Sequence, residues 1–167
     1  TGFVFRESSK NPGWALGISV ADAAFSNEIW LRETVIVILH EYAHLLTLNK
    51  SEVDYLTPGN FCKKVLTKKD RYAFDKKSCA KADSYLQNFV KKFWSEDRIT
   101  FAEKTKHTKG LQVYNQYPTE FVTPYAGKSP VEDIAESFTD FILKRKPFGF
   151  TLEEKKVLFF YDYPELV

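Results

Sequence analysis

The hydrophobic pattern divides the chain into short alternating runs and longer helical ones. Phe3-Val-Phe-Arg-Glu7 and Trp14-Ala-Leu-Gly-Ile-Ser-Val20 carry β-formers and predict two strands, with a turn at Asn11-Pro-Gly13 between them. Ser26 offers an N-cap and Glu28 a first-turn acid for a long helix from about Glu28 to Leu48. That run is apolar nearly all round (Ile29, Trp30, Leu31, Val35–Leu39, Leu45, Leu46), the pattern of a buried helix, and Asn49 is its expected stop.

Residues 50–80 are polar and broken by Pro58-Gly59. Ala80–Glu96 places Tyr85, Leu86, Phe89, Val90, Phe93 and Trp94 on one helical face. Residues 97–128, with Gly110, Pro118, Pro124 and Gly127, read as loop with short extended pieces. Ser129-Pro-Val-Glu132 is a strong helix start, with Ser129 at the N-cap, Pro130 at N1 and Glu132 assigned to a capping box; the helix is expected to reach Lys144. Thr151-Leu-Glu-Glu154 opens a last helix, to about Phe160.

Composition bounds the reading. A length of 167 residues with 44% hydrophobic and 28% charged residues suits one globular domain and excludes disordered and low-complexity classes. No run approaches the roughly 18 apolar residues of a membrane span. The net charge of +2 argues against general nucleic-acid binding. Charge is nevertheless concentrated: residues 63–81 hold eight basic side chains against Asp70 and Asp75. The start, Thr1-Gly-Phe-Val-Phe-Arg6, lacks the features of a signal peptide, and the chain is expected to be a processed piece of something longer. Cys62 and Cys79 bracket the basic stretch without a C-x-x-C pattern, and a disulfide between them is favoured over two unrelated buried thiols.

The strongest chemical signal is His40-Glu41-Tyr42-Ala43-His44, an H-E-x-x-H inside the long helix. Residues i and i+4 lie one turn apart on one face, so both imidazoles can reach a single metal ion. Glu41 is placed beside that face as a general base for a metal-activated water. Two His and a Glu in so apolar a stretch are costly without partners, and a metal supplies them. A third protein ligand is required. His107 lies in basic, loop-like Lys104–Lys109 and reads as a surface residue. Glu136 is the better candidate, flanked by Ile134, Ala135 and Phe138 on the capped helix. Asp140, one turn on, is placed to orient a ligating histidine. Glu120 and Asp133 are weaker alternatives for the third ligand.

With these residues the chain resembles the gluzincin class of zinc metallopeptidases, matching at His40-Glu41-x-x-His44 and Glu136-x-x-x-Asp140. The resemblance implies zinc held by His40, His44 and Glu136, Glu41 as general base, and Asp140 bonded to a ligating histidine. The 92-residue gap from His44 to Glu136, and the phrase Ala135-Glu136-Ser137-Phe138, look more like the lethal-factor-like branch and secreted bacterial zinc peptidases than like thermolysin-like enzymes. That branch implies a Tyr ahead of the ligand helix that steadies the tetrahedral intermediate. Tyr125 could match, with Tyr114 or Tyr117 as alternatives.

The resulting expectation is an α+β, zincin-like domain over residues 1–167. It has a small N-terminal sheet, a buried H-E-x-x-H helix, a helical C-terminal half carrying the third ligand, and an insertion at 50–128 between the two metal-binding helices. The strand Trp14–Val20 would line the cleft and pair with an extended substrate. The expected activity is zinc-dependent endopeptidase, acting as a monomer on peptide or protein substrates, with no nucleic acid and no membrane span, in an extracellular or cell-surface and bacterial setting. The alternative is a non-catalytic zinc-containing surface or toxin-associated binding module that docks through residues 63–81. A nucleic-acid binder using the same segment is weaker still.

Overall fold

The computed structural model describes residues 2–6, 14–18, 28–55, 71–73 and 78–167. The expected turn at 11–13, the N-cap at Ser26, the break at Pro58-Gly59 and most of the basic segment 63–81 lie outside the described residues.

Helix and antiparallel sheet are mixed, as an α+β chain requires. Strands β1 (Gly2–Arg6) and β2 (Trp14–Ile18) pair antiparallel, Val4 opposite Leu16. They pack on α1 (Glu28–Leu48). A Cβ added to Gly2 would stand 2.5 Å from Val37 and 2.9 Å from Cγ of Glu41, so only a glycine backbone can lie this close to the helix. Asn49 ends α1 as expected, its amide donating to the carbonyls of Leu45 (3.1 Å) and Leu46 (2.9 Å).

The helix differs from expectation in one respect. Leu31 and Val35 are exposed, whereas Ala43 and Leu48 are fully or nearly buried. Only the C-terminal half of α1 enters the core. There it packs chiefly on α5 (Pro130–Leu143) and also meets α2 (Tyr85–Phe93). Apolar residues all round α1 therefore do not mean burial all along it.

Two short strands, β3 (Val53–Tyr55) and β4 (Ser78–Ala80), pair antiparallel within the stretch read as polar and irregular. Buried Cys79 lies in β4 and is disulfide-bonded; Cys62, its expected partner, is outside the described residues. Of the basic segment, Arg71 is spent on Asp54 (2.6 Å) and Lys81 on the carbonyl of Lys50 (2.7 Å).

The largest correction falls on residues 97–128. They hold α3 (Glu96–Lys104), α4 (Leu111–Gln116) and 3-10 turns at Lys106–Thr108 and Tyr125–Lys128. Ser95 caps α3 by accepting from the Arg98 N–H. Only Ile99 and Ala102 of that helix are buried, too thin a stripe to show as periodicity. Gly110, at φ 90°, turns the chain into α4; a Cβ there would fall 2.3 Å from the Pro124 carbonyl oxygen. This close approach seats α4 against the turn that delivers Tyr125 and Lys128 to the start of α5.

Helix α5 begins at the expected cap, Ser129 accepting from the Glu132 N–H. A true capping box forms at α6 (Leu152–Leu158), between Thr151 and Glu154. Around α5 the core is aromatic, with Phe138 edge-on to Phe160 at 5.3 Å and Phe89 edge-on to Phe159 at 5.3 Å. Beneath it lies a fully buried ion pair, Lys156 to Asp133 at 2.6 Å.

Candidate metal centre

Helices α1 and α5 face each other across the site. His40 and His44 come from consecutive turns of α1, both buried. Their Nε2 atoms stand 3.0 Å apart. The third member of the group is Glu132, whose Oε2 lies 3.3 Å from each Nε2. These three side chains could hold a metal ion.

The polar atoms are poorly served by the protein alone. Oε2 of Glu132 and Nδ1 of His44 are buried and have no hydrogen-bond partner among the described residues. Buried polar atoms rarely go without one. Three electron-rich atoms converging on one point at this spacing make a cation the natural partner.

Glu136 takes a different place from the one expected. Its Oε1 is 2.6 Å from Nδ1 of His40. Its Oε2 accepts from the Thr123 hydroxyl at 2.7 Å. A carboxylate accepts only, so Nδ1 of His40 carries a proton toward Glu136, and Nε2, which faces Glu132 and His44, is the nitrogen that gains or loses the second proton. Asp140 does not reach a histidine; it pairs with Lys144 at 2.6 Å. The acid pair that meets the histidines sits one turn earlier on α5 than the expected Glu136-x-x-x-Asp140. The pair at the histidines is Glu132 and Glu136, not Glu136 and Asp140. Glu132, expected in a capping box, instead has its carboxylate against the histidines and Lys128.

The other candidates separate clearly. Tyr125 lies beside His40, ring centres 5.9 Å apart, and its hydroxyl is 3.3 Å from Oε1 of Glu132. Tyr117 is under the Arg98 guanidinium, 4.3 Å from its ring centre, and Tyr114 is on α4. Glu120 pairs with Arg98, Asp133 with Lys156, and His107 is exposed on its 3-10 turn. Glu41 is buried next to His40, against Gly2 of β1.

Lys128 and Thr123 are functional neighbours that sequence reasoning missed. Lys128 donates to Oε1 of Glu132 at 2.6 Å and to the Tyr125 hydroxyl at 2.8 Å. Holding Oε1 leaves Oε2 free to face the histidines. The signal for Lys128 was its i, i+4 spacing to Glu132. Nothing local marks Thr123.

The electrostatics follow these contacts. For the side chains alone, burial pulls the His40 pKa down, but Glu132 and Glu136 pull harder the other way and raise it to about 9. Burial pushes Glu132 up, yet His40, His44 and Lys128 hold it well below the usual carboxylate range. Glu136 is likewise lowered, its bonds to His40 and Thr123 outweighing burial. Burial raises Tyr125, with Lys128 opposing.

Beside the group a cleft of about 520 Å³ opens between the exposed half of α1 and the second half of α5. Val35, Ile36 and Leu143 form its apolar wall, and Glu136, Thr139 and Asp140 its polar one. No family model, curated protein or solved structure matches this chain.

Proposed function

We propose that the chain is a zinc-dependent endopeptidase of gluzincin type, with His40, His44 and Glu132 as its metal ligands. The observation that carries this reading is the spacing of the three ligand atoms at 3.0, 3.3 and 3.3 Å. Two atoms each about 2.0–2.1 Å from one zinc ion, at the tetrahedral angle, stand about 3.3 Å apart. Two imidazoles and one carboxylate are also a donor set that favours zinc and leaves a position open for chemistry. A zinc ion bound there would polarise a carbonyl and lower the pKa of a water molecule.

The protein's own groups then have distinct tasks. Glu41 takes the proton of the attacking water and passes it to the leaving amine. Glu136, steadied by Thr123, fixes the His40 tautomer and orients its ring. Lys128 fixes Glu132. Tyr125, at the rim of the site, donates toward the oxygen that gains charge in the transition state. The cleft between α1 and α5 receives a substrate side chain, and the β1–β2 ribbon over Glu41 offers an edge for an extended peptide. The zincin-like fold and an extracellular, bacterial setting belong to the same proposal.

The test is cleavage of unfolded protein substrates and a peptide library by protein of known metal content. Near one zinc per chain, with cleavage abolished by a chelator and restored by zinc, is expected. Protein that binds no zinc, or that cleaves equally well with the metal stripped, would overturn the reading.

A further inference from the structure

The cleft beside the metal centre carries one charge that nothing around it answers. Arg32 precedes His40 by two turns on the same face of α1, with Ile36 between them. It lines the cleft of about 520 Å³ between α1 and α5. It is exposed, and it forms no ion pair or hydrogen bond among the described residues.

The other charges of the lining are spent. Glu136 holds His40 and Thr123, and Asp140 holds Lys144 at 2.6 Å. Glu153 and Glu154 line a neighbouring cavity, which shares only Asp140 and Lys144 with this one. Glu154 is also tied to the Gly149 and Phe150 N–H groups. Glu33, next to Arg32 on α1, is not part of the lining. Arg32 does not serve its own helix either, since the dipole near a helix N-terminus favours acids over cations.

The lining is ordered along the two helices. From the His40–Glu136 contact it runs back along α1 through Ile36 and Val35 to Arg32, and forward along α5 through Thr139 to Leu143. Val35, Ile36 and Leu143 thus put an apolar wall between the metal centre and the guanidinium. A cleft of this size takes a drug-sized ligand, more than a single side chain. Two helical turns span about 11 Å, the reach of about three to four residues of extended peptide. A guanidinium pairs best with a planar anion, and the anion a peptide carries is a carboxylate. The peptide as occupant rests on the peptidase reading above.

We propose that Arg32 makes the cleft select peptide substrates that carry an acidic side chain about three to four residues from the scissile bond, with apolar residues between.

The probes are short peptides blocked at both ends and labelled with an uncharged dye. They are identical except at one position, Glu, Gln or Lys, set about three or four residues to either side of a central Leu, with Leu and Ala between. Binding is read by fluorescence anisotropy in chelator, and cleavage is read separately on the zinc-loaded protein. In chelator, the Glu peptide should bind about three- to fivefold tighter than the Gln peptide, and the Lys peptide weakest, with the differences shrinking in salt. Arg32→Glu should invert the order and Arg32→Lys keep it, both at unchanged Tm because the side chain is exposed. Leu143→Ser should weaken all three peptides and keep the order. With zinc, kcat/KM should follow the same order as binding. Equal binding of the three peptides, no binding of any below about 1 mM, or an order untouched by Arg32→Glu would overturn the proposal. Binding in the expected order without zinc-dependent cleavage would uphold the preference of the cleft and overturn the peptidase reading. Zinc-dependent cleavage indifferent to the acid would do the reverse.

Discussion

Glu136 Oε1 lies 2.6 Å from Nδ1 of His40, while Nε2 of the same imidazole faces His44 and Glu132. This contact separates the two acids of α5. Glu132 belongs with His40 and His44 to the group that could hold a metal ion, and Glu136 meets that group at His40. The separation predicts unequal losses. Glu132→Ala should abolish stoichiometric metal binding. Glu136→Ala should retain it with affinity lowered about 10–100-fold. Metal analysis plus competition with a chromophoric chelator reads both, and equal losses in the two variants would collapse the distinction.

Glu41 is the second case. It is buried against Gly2 and is not a member of the metal-holding group. Glu41→Gln should therefore keep full metal content and an unchanged melting temperature. Its turnover should fall about 10²–10⁴-fold, the size of a general-base contribution. A variant that cleaves at the unmodified rate would remove Glu41 from the mechanism.

The legible part of the site was the part held within one element. His40 and His44 share a face through helix geometry alone, and that spacing is visible in sequence. The i, i+4 acid pair on α5 was visible for the same reason. Which turn of α5 meets α1 was not, because that register is set by packing between elements 96 positions apart in sequence, as the His40–Glu136 contact shows. Thr123 and Lys128 were hidden for a related cause. Lys128 reaches the site on the 3-10 turn at Tyr125–Lys128, and Thr123 stands just before that turn, accepting from its Ala126 N–H; the turn packs against Gly110. In the fold, the strongly amphipathic α2 and α5 were readable, whereas α3, with two buried residues, was not.

The pKa of His40 gives a pH prediction with a definite sign. Its value in the folded side-chain cluster is raised from 6.5 to about 9 by Glu132 and Glu136 against burial. A raised folded-state pKa stabilises the metal-free protein below pH 6.5, and that contribution is lost as pH climbs through about 9. The loss amounts to about 3 kcal/mol over this window. In chelator, the urea midpoint should fall across it. Zinc affinity should move oppositely, rising up to about tenfold per pH unit, since the metal must displace the His40 proton. A flat urea midpoint between pH 6.5 and 9, or zinc affinity independent of pH, would count against the His40–Glu136–Glu132 arrangement.

The buried pair under α5 supplies the last prediction. Lys156 Nζ is 2.6 Å from Oδ2 of Asp133, and both side chains are fully buried. Trp94 Nε1 donates to the same oxygen at 2.8 Å, and Lys156 also donates to the Glu120 carbonyl. Burial disfavours both charges: it raises Asp133 to about 6 against the pull of Lys156, and it lowers Lys156. The pair is thus costly to form and more costly to break. Lys156→Met should destabilise by about 3–5 kcal/mol, because Asp133 is left buried without its counter-ion. Asp133→Asn in that background should recover much of the loss by removing the stranded charge. Asp133 directly follows Glu132, so the single variant should also weaken metal binding, and the double variant should restore it. Urea unfolding in chelator and metal titration of the two proteins measure the two effects separately. A double variant no more stable than Lys156→Met would show that the cost lies in the lost contact of the ammonium with the Phe121 ring, Nζ 3.9 Å from its centre, rather than in the stranded carboxylate.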